Sequence, residues 1–63
     1  MKNRLKEYRE KAKLSQDELS EKASVSRATI SALESGKEIN VQLSTLQRLA
    51  DVLKRKVSTV FNI

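Results

Sequence analysis

The sequence of 63 residues contains no cysteine and no histidine. Without cysteine the chain can form neither a disulfide nor a thiolate metal site, and nothing in it requires an oxidising compartment. Without histidine as well, the side chains that most often perform acid–base, nucleophilic or metal-assisted catalysis are missing. The serines fall at expected caps and turns, where a hydroxyl serves the backbone. We therefore expect a protein that is not an enzyme and that has no catalytic residues, no metal and no cofactor.

Long apolar runs are absent too. The uncharged stretches are far shorter than the roughly 20 apolar residues that a membrane span requires, and the first four residues, Met1 to Arg4, lead into no apolar signal core. The sequence therefore predicts a soluble protein with no membrane partner. We expect it in the cytoplasm, associated with the nucleoid.

Positive charge is in excess, since 13 Lys and Arg residues stand against 8 Asp and Glu residues and give a net charge of +5. On so small a body this excess favours polyanionic partners, nucleic acid first among them. Basic helix faces that are merely solvated are the alternative. The length suits one domain over residues 1–63, which buries only about 60% of the surface that its unfolded chain exposes.

Proline is absent and glycine occurs once, at Gly36, so helices dominate the expected structure. Ser15 to Glu18 form a capping box at the start of one helix, Ser26 is the expected N-cap of the next, and Gly36 suits a left-handed C-cap. Leu43, Leu46, Leu49, Ala50 and Leu53 follow at core-helix spacing. The predicted helices cover about residues 2–12, 16–23, 27–35 and 43–53, with one more helical turn in 57–63.

The second and third predicted helices are short and are separated by only about three residues. They share an apolar seam, and its burial requires the two helices to cross closely. The seam consists of Leu19, Ala23, Val25, Ile30 and Leu33. This arrangement is the helix-turn-helix, in which the second helix presents its outer face to a DNA major groove about 12 Å wide.

Residues 14–37, LSQDELSEKASVSRATISALESGK, resemble the Cro and phage-repressor type of helix-turn-helix, also called the XRE family. The resemblance extends upstream to Arg4 and downstream to Phe61. It implies an all-α, compact five-helix bundle of the lambda-repressor-like class. It also implies a transcriptional regulator, by default a repressor that occludes polymerase, which binds a palindromic operator in double-stranded DNA as a homodimer.

The resemblance also implies roles for individual residues. Gln16 matches a residue that anchors a phosphate, and Thr29 and Lys37 match positions that contact the DNA backbone. The outward face of the recognition helix carries Ser26, Arg27, Ala28, Ser31 and Ala32. Arg27 is the expected base reader, because a guanidinium can donate two hydrogen bonds to guanine. A phosphate contact by Arg27, and merely solvated side chains at Gln16 and Lys37, are the alternatives.

Three positions depart from the family pattern. Ser24, Lys13 and Lys54 stand where the family often has glycine. A left-handed backbone at a non-glycine residue costs roughly 1 to 2 kcal/mol, so either the chain tolerates this strain or these turns differ in conformation. The loop over residues 37–42 also lacks a proline common in the family, and we assign it no role.

Two further expectations concern contacts within and between copies. Arg9 and Glu34 resemble an ion pair that joins the first helix to the recognition helix. The apolar tail and the fourth helix are together expected to pair two copies, because a monomer leaves little to cover Val57, Val60, Phe61 and Ile63.

A different class of function is an antitoxin or adaptor that binds a protein partner such as a toxin. Such an adaptor would be indifferent to DNA, whereas a regulator would bind a duplex with steep salt dependence.

Overall fold

Five α-helices make up the architecture of the computed structural model, which describes residues 2–63. No strand occurs within that range. The all-α, five-helix expectation is therefore confirmed. The helices are α1 (Leu5–Lys11), α2 (Gln16–Ala23), α3 (Arg27–Glu34), α4 (Leu43–Val52) and α5 (Val57–Phe61).

The starts of α2 and α3 follow from local sequence. The Ser15 hydroxyl accepts from the Glu18 backbone N–H at 3.0 Å, and the Glu18 carboxylate accepts from the Ser15 N–H at 2.8 Å. The backbone bond from Ser15 lowers the pKa of Glu18. Ser26 caps α3 by accepting the Thr29 N–H at 3.1 Å. Both caps satisfy N–H groups that have no carbonyl partner inside their helix, and both were predicted.

The first helix begins at Leu5 rather than near residue 2. The Asn3 side chain accepts the Leu5 N–H at 2.9 Å and donates to the Leu33 carbonyl at 2.9 Å, while the Arg4 N–H donates to the Val60 carbonyl at 2.7 Å. Residues 3 and 4 thus bond to α3 and α5, and the helix starts after them. Contacts this distant in sequence leave no periodic signal.

Four helices end in the same hydrogen-bonded motif, which contains one left-handed residue. After α1, α3 and α4 this residue is Lys13 (φ 59°), Gly36 (φ 79°) and Lys54 (φ 57°). In each case a six-residue backbone ring closes the helix end, from Leu14 to Arg9, from Lys37 to Ala32 and from Arg55 to Ala50. In α2 the left-handed residue is the C-cap, Ser24 (φ 55°), and the same ring runs from Val25 to Ser20. The chain therefore keeps the family's turn geometry and tolerates the strain at all three non-glycine residues.

The core lies where all five helices meet. Its largest side chains that are less than 2% exposed are Leu5, Leu19, Ile30, Leu33, Leu49, Val60 and Phe61. Leu43 is a correction to the expected core, because it is the first residue of α4, lies beyond the core edge and is 58% exposed.

The expectation for the tail is also corrected in part. Val60 and Phe61 were expected to remain uncovered unless two copies pair, yet one copy buries them to 0% and 1% exposure. The short helix α5 inserts both side chains among α1 and α4 residues. Only Val57, half-buried, and Ile63, 58% exposed, leave tail surface for another molecule.

Candidate nucleic-acid interface

The recognition helix α3 has one face in the core and one at the surface. Ile30 and Leu33 are both fully buried and anchor the helix. Two of the residues predicted to face DNA, Thr29 and Ala32, are half-buried. The others in and just before this helix are exposed, namely Ser26, Arg27, Ala28 and Ser31. The predicted DNA-facing residues thus share one accessible surface, and none of them is needed to fill the core.

An enclosed ion pair fixes the far end of α3. Arg9 of α1 donates from Nε to Glu34 Oε2 at 2.7 Å and from Nη2 to Oε1 at 3.1 Å, and its Nη1 donates to the Leu14 carbonyl at 2.8 Å. The two side chains are only 11% and 5% exposed. The ion pair that the resemblance implied is therefore present, with the two-pronged geometry that makes Arg–carboxylate bonds strong.

Electrostatics at this pair favour the charged forms. Burial raises the pKa of Glu34. The hydrogen bonds from Arg9 and Gln16, together with the attraction of the Arg9 charge, outweigh this effect, so the pKa lies below its usual value. The bond to Glu34 likewise raises the pKa of Arg9. Glu34 consequently stays ionised and acts only as a hydrogen-bond acceptor near neutral pH.

Gln16, the first residue of α2, lies half-buried between the two ends of α3. Its Nε2 donates to Glu34 Oε1 at 3.1 Å, and its Oε1 accepts from Arg27 Nε at 3.4 Å. A carboxylate can only accept and a guanidinium can only donate, so these neighbours determine which way the amide points. One of the two amide hydrogens is occupied by Glu34, which leaves the other, together with the Gln16 and Asp17 backbone N–H groups, for a phosphate, since the Glu18 N–H is bonded to Ser15.

Arg27, the first residue of α3, is held from the side of α2. Besides its bond with Gln16, its Nη1 lies 3.3 Å from Asp17 Oδ1. The Arg27 and Asp17 side chains are 63% and 70% exposed. A continuous polar chain therefore runs from α1 to the surface of α3, through Arg9, Glu34, Gln16, Arg27 and Asp17. Four of these residues were predicted from the sequence, and Asp17 was not, because nothing in the spacing shows where the Arg27 side chain turns.

The hydroxyl groups at the start of α3 are partly committed to structure. The Ser26 Oγ accepts the Thr29 N–H and lies 2.8 Å from the Thr29 Oγ1. Capping is thus the first role of Ser26, and only its remaining lone pair or proton is available to a base or phosphate. Ser31 is exposed in the middle of the helix. Lys37 is exposed directly after the left-handed Gly36, at the end of α3.

A surface cleft of about 450 Å³ lies beside the recognition helix. Its walls are the outer face of α3 and the segment that leads into α4, and its lining residues are Ala28, Thr29, Ala32, Ile39, Asn40, Val41, Gln42 and Thr45. None of these side chains is charged, so the cleft offers hydroxyl, amide and methyl groups rather than cations. Ile39 and Val41 are half-buried against the core and Asn40 and Gln42 are exposed, an alternation typical of extended backbone. That alternation is visible in the sequence and was the available signal for this wall of the cleft, to which no role was assigned.

Among residues 2–63, no group of three Asp, Glu, His or Cys side chains is arranged to hold a metal ion. Within the same range, none of the helices combines the length and apolarity needed to cross a membrane.

Comparison with known proteins places this geometry in a family. A family described as "Helix-turn-helix" matches residues 5–60. An uncharacterized HTH-type transcriptional regulator of Archaeoglobus fulgidus is 38% identical over 61 residues, which are 97% of this chain and 84% of that protein.

Solved structures of SinR are similar as well. SinR, the master regulator for biofilm formation, in complex with DNA has a TM-score of 0.82 and 34% identity over 89% of this chain and 89% of that one. The N-terminal DNA-binding domain of SinR from Bacillus subtilis has a TM-score of 0.78, with 34% identity, 89% coverage of this chain and 81% of that one. In the SinR–SinI complex the TM-score is again 0.82, and this chain spans 54% of the matched chain. The protein belongs to the helix-turn-helix family, as its resemblance to the Cro and phage-repressor type predicted.

Proposed function

We propose that this protein is a DNA-binding transcriptional regulator, not an enzyme, and that residues 1–63 form its single DNA-binding domain. The observation that carries the proposal is the exposed outer face of α3, whose first residue, Arg27, is held in place from α2. Membership of the helix-turn-helix family, and the transcriptional regulators and the SinR–DNA complex among its similar proteins, support it. In this proposal it acts in the cytoplasm, on the nucleoid, and represses by occluding polymerase.

Each exposed group on the interface has a specific role in the proposal. Arg27 reads a guanine through two hydrogen bonds, and Ala28 and Ala32 contact thymine methyl groups. Ser26 and Ser31 bond base edges or phosphates. The positive end of α2 at Gln16, with Thr29 and Lys37, holds the DNA backbone and sets the register of α3 in the major groove.

The finer proposal is a homodimer on a palindromic operator. Two copies pair through the outer side of α4 and the tail, where Val57 is half-buried and the exposed apolar side chains are Leu43 and Ile63, each 58% exposed. Pairing about a two-fold axis sets the two recognition helices about 34 Å apart, one turn of DNA. Sedimentation equilibrium at high micromolar concentration tests this part, because a species with the monomer mass alone would contradict it.

The proposed function is tested by selection from a randomised duplex pool at about 50 mM and about 200 mM salt. A palindromic consensus that persists at the higher salt is the expected result. Arg27→Ala should then relax the choice at one base pair in each half-site, by a factor of about 10. Lys22→Ala is the matched control, since this substitution also removes one positive charge. Lys22 is exposed and lies in the last turn of α2, away from Gln16.

Selection that yields no consensus, with binding that vanishes at the higher salt, would overturn the proposal. The remaining candidate would be a protein-binding antitoxin or adaptor, and one similar structure, the SinR–SinI complex, contains a protein partner.

A further inference from the structure

The guanidinium of Arg27 lies between two acceptors that both come from the first turn of α2. Gln16 Oε1 lies 3.4 Å from Nε and Asp17 Oδ1 lies 3.3 Å from Nη1. Gln16 cannot turn its oxygen away without giving up its bond to Glu34, which the Arg9 ion pair holds in place. The Gln16 contact of Arg27 is therefore backed by the enclosed ion pair, whereas the Asp17 contact lies at the surface.

A count of donors shows what this arrangement leaves open. A guanidinium has five N–H groups. One on Nε faces Gln16 and one on Nη1 faces Asp17. The other hydrogen of Nη1 and both hydrogens of Nη2 remain, and the terminal edge of the side chain uses one hydrogen from each of these two nitrogens. That edge can donate two parallel bonds to guanine O6 and N7 while the contacts with α2 are kept.

We propose that Asp17 is a positioning residue that raises the sequence selectivity of Arg27. The inference rests on the proposed function and deepens it. Asp17 holds the guanidinium so that its terminal edge points away from α2, and it offsets the charge that Arg27 would otherwise present to any phosphate.

The Asp17 charge also acts on the contacts that the protein makes with random DNA. Attraction to phosphates carries no sequence information and supplies nearly all of the binding to random DNA. An acidic side chain on the surface that approaches DNA weakens this attraction wherever the protein lands. At the operator, a guanine can accept two hydrogen bonds from the free edge of Arg27, and this gain offsets the weakened attraction to phosphates. Other bases cannot accept both bonds. Asp17 therefore penalises random sites more than the operator.

Fold stability does not account for the pair. Both side chains are mostly exposed, and exposed ion pairs contribute little to stability because water and salt screen them. Asp17→Asn keeps the size and shape of the side chain and removes the charge. Glu21→Gln is the matched control, since Glu21 is exposed on the same helix and forms no ion pair with the described residues.

The experiment measures dissociation constants for the selected operator and for a random duplex at about 50 mM and about 200 mM salt. Asp17→Asn should bind the random duplex roughly two- to fivefold more tightly at the lower salt. Its operator affinity should rise less or fall, so the operator-to-random ratio drops at least about twofold. The choice at the base pair read by Arg27 should weaken as well. Glu21→Gln should leave the ratio and that choice unchanged.

A double-mutant cycle separates positioning from a general charge effect. In an Arg27→Ala background, Asp17→Asn should alter the ratio no more than Glu21→Gln does. Melting temperatures of the variants check that the fold is intact. If the wild type selects a consensus but Asp17→Asn behaves like Glu21→Gln, this inference fails and the proposed function stands. If the wild type selects no consensus, both fail.

Discussion

Glu34 accepts hydrogen bonds from two other helices, which makes its carboxylate the point at which α1, α2 and α3 are joined. Arg9 reaches it from α1 and Gln16 from α2. All three helices bear on the orientation of Arg27, so a change at residue 34 affects both the fold and the recognition surface.

Replacing Glu34 by alanine should lower the free energy of unfolding by about 3 kcal/mol, because it leaves the Arg9 charge enclosed without its partner. Urea unfolding followed by circular dichroism measures the loss. Glu7→Ala is the control, since the Glu7–Lys11 pair is 49% and 62% exposed and should change stability by less than about 0.5 kcal/mol. The variant should lose more stability than operator choice, because Glu34 reaches Arg27 only through Gln16. Unchanged urea unfolding would show that the pair contributes nothing.

The lowered pKa of Glu34 predicts a specific dependence of stability on pH. A carboxyl with a folded pKa below its unfolded value of about 4.3 stabilises the protein fully above that value, and its contribution disappears as pH falls through the folded pKa. The stability difference between wild type and Glu34→Gln should therefore be constant from pH 7 to about pH 5 and shrink below about pH 4. Urea unfolding across this range gives the difference, and a difference that grows on acidification would contradict the lowered pKa.

Ser24 has a left-handed backbone that costs a non-glycine residue about 1 to 2 kcal/mol. Ser24→Gly should relieve this strain, while the greater freedom of glycine in the unfolded chain takes back about 0.5 to 1 kcal/mol. The expected net gain in the free energy of unfolding is about 0.5 kcal/mol. Ala12→Gly is the control, because φ is −81° there and glycine should destabilise. Thermal melting of both variants tests the pair, and a loss at Ser24 would show that the turn is unstrained.

At the scale of the element, α2 has the most complete cap. Ser15 and Glu18 satisfy each other's backbone N–H groups. The first turn of α2 also carries Gln16 and Asp17, so the same cap that starts the helix positions the acceptors around Arg27. Local helix-start chemistry and recognition geometry therefore depend on the same few residues.

Ser15→Ala should cost about 1 kcal/mol of unfolding free energy, since it removes the acceptor for the Glu18 N–H. Ser58→Ala is the matched control, because the Ser58 side chain is exposed near the start of α5 and donates to no described residue. Urea unfolding compares the two variants. Equal stabilities would mean that water caps α2 as well as Ser15 does.

At the scale of the molecule, the last helix closes the core that the other four leave open. Phe61 is among the largest fully buried side chains, although it is only two residues from Ile63 at the end of the sequence. Because one copy covers Phe61 by itself, its contribution to stability belongs to the monomer.

Phe61→Leu should lower the free energy of unfolding by about 1 to 2 kcal/mol through a partly filled cavity. The loss should be the same at low and at high protein concentration, because no second copy is involved. Ile63→Ala is the comparison, since an exposed tail residue should leave monomer stability within about 0.5 kcal/mol. Calorimetry over a roughly hundredfold range of protein concentration shows whether the loss of stability at residue 61 depends on a second copy. A loss at residue 61 that grows with dilution would place it between copies.

The sequence by itself determined the order of the five helices, the caps at Ser15, Ser26 and Gly36 and the pairing of α2 with α3, because these depend on residues close together in the chain. Ser15, Ser26 and Gly36 each act within a few residues of their own position. The Arg9–Glu34 pair was predicted by family resemblance rather than by a local rule.

Only the tertiary structure decided which side chains meet across helices. It buried Phe61 in one copy, bonded Asn3 to Leu33, exposed Leu43, and turned Arg27 toward Asp17. Each of these outcomes depends on where two distant segments come to lie in space, and neither hydrophobic period nor capping pattern carries that information. The selectivity that we assign to Asp17 arises at this level, from the crossing of α2 and α3.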